Sequence, residues 1–217
     1  MSPILIERLW QGFLDTVTMV GASATIAALA GIPLALVLVV SAPGGVRPAP
    51  RLHRALGSVV NGFRATPFIV LLVALLPFTR LVVGATIGVW AAVVPLAVSA
   101  TPFFARIAEV SLREVDAGLV EAAQAMGCRR RHILLHVLLP EALPGIVGGF
   151  TITVVSLIGA SAMAGAVGAG GLGDLAIRYG YQRFDTTVMA IVIVILIALV
   201  TAVQAVGDRV VRRLHDR

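Results

Sequence analysis

Five long apolar runs constrain this chain more than any motif does. They cover residues 14–40, 56–77, 84–105, 143–166 and 187–207. A helix crossing the hydrocarbon of a bilayer needs about 20 apolar residues, so each run is long enough to span. Helices are the economical solution, because each segment then satisfies its own backbone groups away from water. The chain is 59% hydrophobic and only 13% charged, with a mean hydropathy of +0.99. A soluble domain carries about 25% charged residues to keep its surface wet. The expected fold is an all-α integral membrane protein, one domain over residues 1–217, with no aqueous domain beyond its loops. No cleavable signal peptide is expected: the N-terminal segment carries Glu7, Arg8 and Asp15 ahead of a run long enough to span. The single cysteine, Cys128, excludes an internal disulfide and reads as a bland small residue.

Charge placement then orients the spans. Every basic side chain other than histidine is an arginine. Arg47, Arg51 and Arg54 fall in the first loop, Arg113 and Arg129–Arg131 in the third, and Arg209, Arg212, Arg213 and Arg217 at the C-terminus. The N-terminus and the other two loops hold only Arg8, Arg80, Arg178 and Arg183. The positive-inside rule places the first set in the cytoplasm, which puts the N-terminus outside and the C-terminus inside. The same dispersal over one membrane face argues against nucleic acid as a partner and for the lipid bilayer. His53, His132, His136 and His215 lie in loop or boundary segments without metal-ligand spacing, so no metal and no catalytic site is expected.

Residues 1–13 read as a short amphipathic lead-in, with Leu5, Leu9, Trp10 and Phe13 near the interface. Gly21, Gly31 and Pro33 predict a bend near the middle of the first span. The segment from Ser41, SAPGGVRPAPR, is a Pro/Gly-rich turn. Pro67 would free a carbonyl near Phe63 in the second span, and Pro95 and Pro102 interrupt the third. Such prolines fit either a moving, pathway-lining bundle or static kinks covered by neighbours. Arg64, Arg106, Glu109 and Asp208 fall near span ends, where snorkelling accounts for them. Gln204 is polar at depth and fits a hydrogen bond to a neighbouring helix or a place on the path.

The fourth run has a different texture. From Gly159 it reads GASAMAGAVGAGGLGDL. Small residues let helices approach closely, and tight packing alone would explain most of them. The functional reading adds Ser156, Ser161 and Met163 as residues facing a central path, with Met163 as a flexible gate. The loop from Gly168 to Phe184 carries Gly170, Gly171, Gly173, Tyr179, Tyr181 and Arg183, a mixture that suits docking of a partner on the outer face.

The basic loop 113–140 is the most specific stretch. Asp116 is placed to cap a helix formed by AGLVEAAQAM, and Gly127 to end it in the left-handed conformation. Leu119, Ala122, Ala123 and Met126 share one face of that helix at i, i+3, i+4, i+7 spacing. Two alanines leave little bulk there, so the helix could lie deep in a groove of another protein. Glu121 is placed to pair with a partner's basic group or with Arg129–Arg131, and Pro140 and Pro144 should break the chain as it re-enters the membrane.

Glu121-Ala122-Ala123, Gly127, Val137 and Leu139-Pro140 together have the spacing of the EAA loop and resemble that loop in bacterial ABC importer permeases. Phe63–Pro67, Pro77–Arg80, LLPEALPG at 138–145 and GAVGAGGLG at 165–173 are further similar to the methionine-importer permeases. The resemblance spans nearly the whole chain. It implies a type I ABC importer permease fold in the bacterial inner membrane, and a pathway for methionine of either hand. Two copies of the permease would assemble with two separate ATPase subunits and an extracytoplasmic substrate-binding protein, often a lipoprotein. Asp116, Leu119, Glu121, Ala122, Ala123, Met126, Gly127, Leu139 and Pro140 would seat the ATPase. ATP and magnesium would belong to that partner: the chain has no G-x-x-x-x-G-K-[ST] loop and is expected to carry no cofactor and catalyse nothing. Two other readings stand beside this one. The same machine could carry another small solute, such as a polar amino acid. An ion-coupled secondary transporter would instead need ionisable groups at mid-depth, and the middles of runs 1, 2, 4 and 5 show none.

Overall fold

The computed structural model describes residues 3–45 and 47–215. Residues 1–2 of the lead-in, Val46 of the first turn and Arg217 lie outside them. The described chain is helical: α1 Pro3–Ser41, α2 Pro50–Ala65, α3 Phe68–Ala74, α4 Leu76–Val83, α5 Val89–Arg113, α6 Ala117–Ala125, α7 Arg130–Ile133, α8 Leu139–Gly165, α9 Gly171–Leu175 and α10 Thr186–His215. Four segments are long and apolar enough to cross a membrane: α1, the continuous stretch Arg130–Gly165, α5 and α10.

The first run is one helix with its lead-in. α1 has 39 residues and continues through Pro33, about 58 Å at 1.5 Å per residue. The expected interfacial segment is therefore the first turns of α1. There Leu9, with Leu5 and Phe13 beside it, packs on Leu172, Leu175 and Val188 of α9 and α10. Only Trp10 of that set stays exposed.

The second run departs most from expectation. It is two helices, α2 and α3, bent by 104°. The cause is local. Thr66, ahead of Pro67, is extended at φ −80°, ψ 124°, the conformation a following proline imposes. α2 then ends on a bond from Thr66 N–H to the Phe63 carbonyl at 3.3 Å. α3 and α4 are short, and Gly84, at φ +81°, ends α4 in the left-handed conformation. Gly88 N–H donates to the Gly168 carbonyl at 2.9 Å, so the third span begins at Val89 rather than at Gly84. Pro95 and Pro102 lie inside the unbroken α5.

The chain also does not break at Pro140 and Pro144. Leu134–Leu138 form a π-helical turn, in which Leu139 N–H donates to the Leu134 carbonyl, five residues back. Pro140 occupies the first turn of α8 and Pro144 lies within it. A proline has no N–H and crowds the carbonyl four residues earlier. The wider turn makes that room without ending the helix.

α1, α5 and α8 form the centre. Met19, Ala24 and Ala27 of α1 meet Leu96 and Ala100 of α5 and Leu157 and Ala164 of α8. Small residues set the distances: a Cβ on Gly31 would lie 2.8 Å from Phe104, and one on Gly149 2.3 Å from Ile107. Close approach replaces hydrophobic drive as the source of cohesion among helices in lipid. A second cluster, at the α6 end of the bundle, joins Ala35, Phe104, Leu112, Ala123, Ile133, Leu138 and Ile146.

Candidate functional site

The α6 end is built as the sequence dictates. The Asp116 carboxylate accepts from Gly118 N–H at 2.6 Å and caps α6. Gly127 sits at φ +74°. Gly127 N–H donates to the Gln124 carbonyl at 2.9 Å and Cys128 N–H to the Ala123 carbonyl at 3.1 Å, the paired bonds that close a helix on a left-handed residue. Both ends of this nine-residue helix are thereby fixed.

The expected four-residue face is divided. Ala123, 3% exposed, packs into the bundle with Leu112, Ile133 and Leu138. Leu119 and Ala122 are exposed, and Met126 is 76% exposed. α6 therefore anchors itself through Ala123 and turns Leu119, Ala122, Met126 and Glu121 outward. Leu139 is half-buried beside the same cluster, and Pro140 is exposed. Among the described residues Glu121 makes no ion pair with Arg129–Arg131, which leaves its carboxylate to solvent or a partner. His132 and His136 stack at 4.1 Å between ring centroids just beyond.

The last turns of α5, just before α6, hold a residue whose setting differs from the one expected from the sequence. Glu109 of α5 is wholly buried, not snorkelling. Arg106 Nη1 lies 2.7 Å from its Oε2 and Arg113 Nη2 2.5 Å from its Oε1. The Arg113 contact is close but poorly aligned, so Oε1 has no hydrogen bond. The signal was available: Arg106, Glu109 and Arg113 stand at i, i+3, i+7, one face of one helix. This triad ties the last turns of α5 immediately before the chain enters α6.

The pathway candidates separate as well. Ser156 and Met163 are exposed and stand in line with Ile152 and Gly159, an open stripe along α8. Ser161 faces the other way; it is buried and donates to the Ile158 carbonyl at 2.7 Å. Ser156 also lines a cavity of about 290 Å³ at the α2–α3 break, with Phe63, Arg64, Ser99 and Phe103.

At the opposite end the outer candidates divide between packing and exposure. Gly171 and Gly173 are buried. A Cβ on Gly173 would lie 2.3 Å from the Ala162 carbonyl oxygen, and one on Gly171 2.8 Å from Thr16. Gly170, at φ +84°, precedes them. Leu172 N–H donates to the Thr16 hydroxyl at 2.9 Å, which pins α9 to α1. Tyr179 is half-buried; Arg8 bonds its hydroxyl, and the Arg183 guanidinium lies 4.7 Å from its ring centroid. Tyr181, 67% exposed, is the free aromatic of the group.

Known proteins resemble this chain over most of its length. A probable D-methionine transport system permease protein MetI of Vibrio cholerae is 50% identical over 216 residues, covering 100% of this chain and 94% of the relative. The methionine import system permease protein MetP of Bacillus subtilis is 38% identical over 180 residues, covering 83% of this chain and 81% of the relative. Among solved structures, a chain of the MetNI methionine ABC transporter in an inward-facing conformation superposes with a TM-score of 0.97, at 46% identity and 99% coverage of both chains. Residues 27–216 match the binding-protein-dependent transport system inner membrane component family, and the chain belongs to that family.

Proposed function

We propose that this chain is the permease subunit of an ATP-driven importer of methionine. One observation carries the reading: the likeness to a methionine ABC transporter chain extends over 99% of both chains at 46% identity. That length includes the capped α6, the bent α2–α3 pair and the open stripe on α8. The arrangement proposed has two copies of the permease, two ATPase subunits seated on their α6 helices, and a binding protein delivering methionine from outside. The bent pair counts as the fifth crossing, with the N-terminus outside, the arginine-rich C-terminus in the cytoplasm and the whole in the bacterial inner membrane. ATP and magnesium bind the ATPase; this chain hydrolyses nothing.

The mechanism follows from rigid parts. α6 is fixed at both ends, and Ala123 joins it to the cluster that holds Leu112 of α5 and Ile146 of α8. ATP-driven closure of the ATPases would move the outward face of α6. The packed cluster would carry that displacement into α5 and α8, and the Arg106–Glu109–Arg113 triad would stiffen the last turns of α5 that receive it. Packed interfaces hold discrete arrangements rather than deforming smoothly, so the spans would switch between inward- and outward-facing states. Ser156 and Met163 are proposed to face the path. Tyr181 and its neighbours, including Tyr179, are proposed to meet the binding protein.

The test is reconstitution with the ATPase and binding protein, followed by uptake of labelled L-methionine against a panel of polar amino acids. Uptake of methionine that requires ATP supports the proposal. ATP-dependent uptake of another solute would keep the machine and discard methionine. Uptake driven by an ion gradient without the ATPase would overturn both.

A further inference from the structure

The cavity at the α2–α3 break holds an arginine in an unexpected place. Snorkelling from a span end was the expectation for Arg64. It stands instead in the last turn of α2, where the bend at Pro67 sets it on one cavity with Ser99, near the middle of α5, and Ser156, in the middle part of α8. An ionisable residue at the level of helix middles is costly and marks a functional site by default. The other arginines at spanning segments have reasons to be there: Arg106 and Arg113 hold Glu109. No carboxylate lies within 4.0 Å of Arg64 among the described residues, and none lines its cavity. Its place in the last turn of α2 favours a cation, but the fork of donors remains open.

The other lining groups complete a small-molecule site. The Thr66 and Thr153 hydroxyls are taken by the Gly62 and Gly149 carbonyls. Ser99 and Ser156 make no hydrogen bond among the described residues and stay available. Phe63, Phe68 and Phe103 supply apolar faces. The volume of about 290 Å³ is at the low end for ligand pockets, which begin near about 300 Å³. That suits one amino acid.

We propose that this cavity binds the transported amino acid in transit, with the Arg64 guanidinium holding its carboxylate, Ser99 and Ser156 meeting its polar end, and the phenylalanine rings meeting its thioether. An arginine fork matches a carboxylate in two parallel bonds, and sulfur packs favourably on aromatic edges. The proposal deepens the methionine-importer reading and rests on it. The permease thereby adds a selection step of its own to that of the binding protein.

The experiment uses the purified permease–ATPase complex carrying Cys128→Ala and Ala160→Cys, a position that lines the same cavity without meeting the substrate's polar groups, labelled with a small thiol reagent. Saturating L-methionine slows labelling about tenfold, as occupancy requires, whereas methioninol, which lacks the carboxylate, does not. Adding Arg64→Gln weakens protection about tenfold or more, the loss expected for a charge-assisted hydrogen bond, and Arg64→Lys restores part of it. If Arg64→Gln fails to co-purify with the ATPase, the Arg64→Lys and methioninol arms decide. Equal protection by methionine and methioninol, or none in a complex whose unmodified form imports methionine with ATP, overturns the site alone. Absence of ATP-driven methionine uptake in the unmodified transporter overturns the importer reading with it.

Discussion

α6 and α9 are both short helices flanked by glycine, one at each end of the bundle, and the sequence marks both as docking surfaces. The structure uses them differently. α6 gives one residue, Ala123, to the core and turns Leu119, Ala122 and Met126 outward. α9 gives Gly171, Leu172, Gly173 and Leu175 to the core and keeps almost nothing for a partner. Glycine serves both, but Gly127 ends a helix in open space, whereas Gly171 admits the Thr16 and Met19 side chains of α1 and Gly173 the Ala162 backbone of α8. Glycine content alone therefore does not distinguish a hinge from a packing seam. What surrounds the missing Cβ does.

The two ends should fail in different ways. The largest effect is expected at Gly173. Gly173→Val drives a side chain into the Ala162 backbone, where even a Cβ would stand 2.3 Å from the carbonyl oxygen. Overpacking costs about 1–3 kcal/mol or more, so the detergent-purified permease should lose several degrees of thermal stability or fail to accumulate. Gly127→Val meets nothing within 4 Å and carries only the left-handed strain of about 1–2 kcal/mol. It should insert and purify, yet lose most ATP-dependent uptake while ATP hydrolysis continues. A Gly127→Val variant with normal uptake, or a Gly173→Val variant of normal stability, would erase the contrast. Glu121→Lys should uncouple in the same way without altering thermal stability.

The buried triad gives the next effect. Replacing both Arg106 and Arg113 by alanine leaves the buried Glu109 unpaired, a destabilising defect smaller than the overpacking at Gly173 because solvent reaches the partly exposed arginine sites. Glu109→Leu removes the buried charge itself, and the two arginines are already partly exposed, so it should cost much less. Thermal denaturation of the two variants ranks them; the reverse order would mean that the triad does not fix α5. Smaller still is Tyr181→Ala, which should leave stability within about 0.5 kcal/mol and only weaken stimulation of ATP hydrolysis by the binding protein. On the α8 stripe, Met163, 53% exposed, should react as Met163→Cys in some nucleotide states and not in others, in a Cys128→Ala background. Uniform protection would place it in packing.

Much of this was legible because hydrophobic length and capping are local. α1, α8 and α10 cover their runs to within a residue and α5 covers all but the first five residues of its run, and Asp116 and Gly127 delimit α6 as their chemistry requires. The bend in the second run was missed because the run was taken as one apolar stretch, although only the part after Pro67 is free of polar residues and the backbone turns at Thr66 where the two parts meet. Glu109 was misread because burial depends on which face of α5 meets α1 and α8, and composition does not report faces. The glycines of α9 failed for the converse reason: their neighbours, Thr16 and Ala162, are distant in sequence.

The most direct test of the account is a cross-link from α6. In the assembled transporter with Cys128→Ala, Met126→Cys should join a cysteine placed in the facing groove of the ATPase, and the buried Ala123→Cys should not. The account predicts a bond at Met126 that forms faster when nucleotide is bound. A transporter that imports with ATP yet cross-links equally from both positions, or from neither, would contradict it.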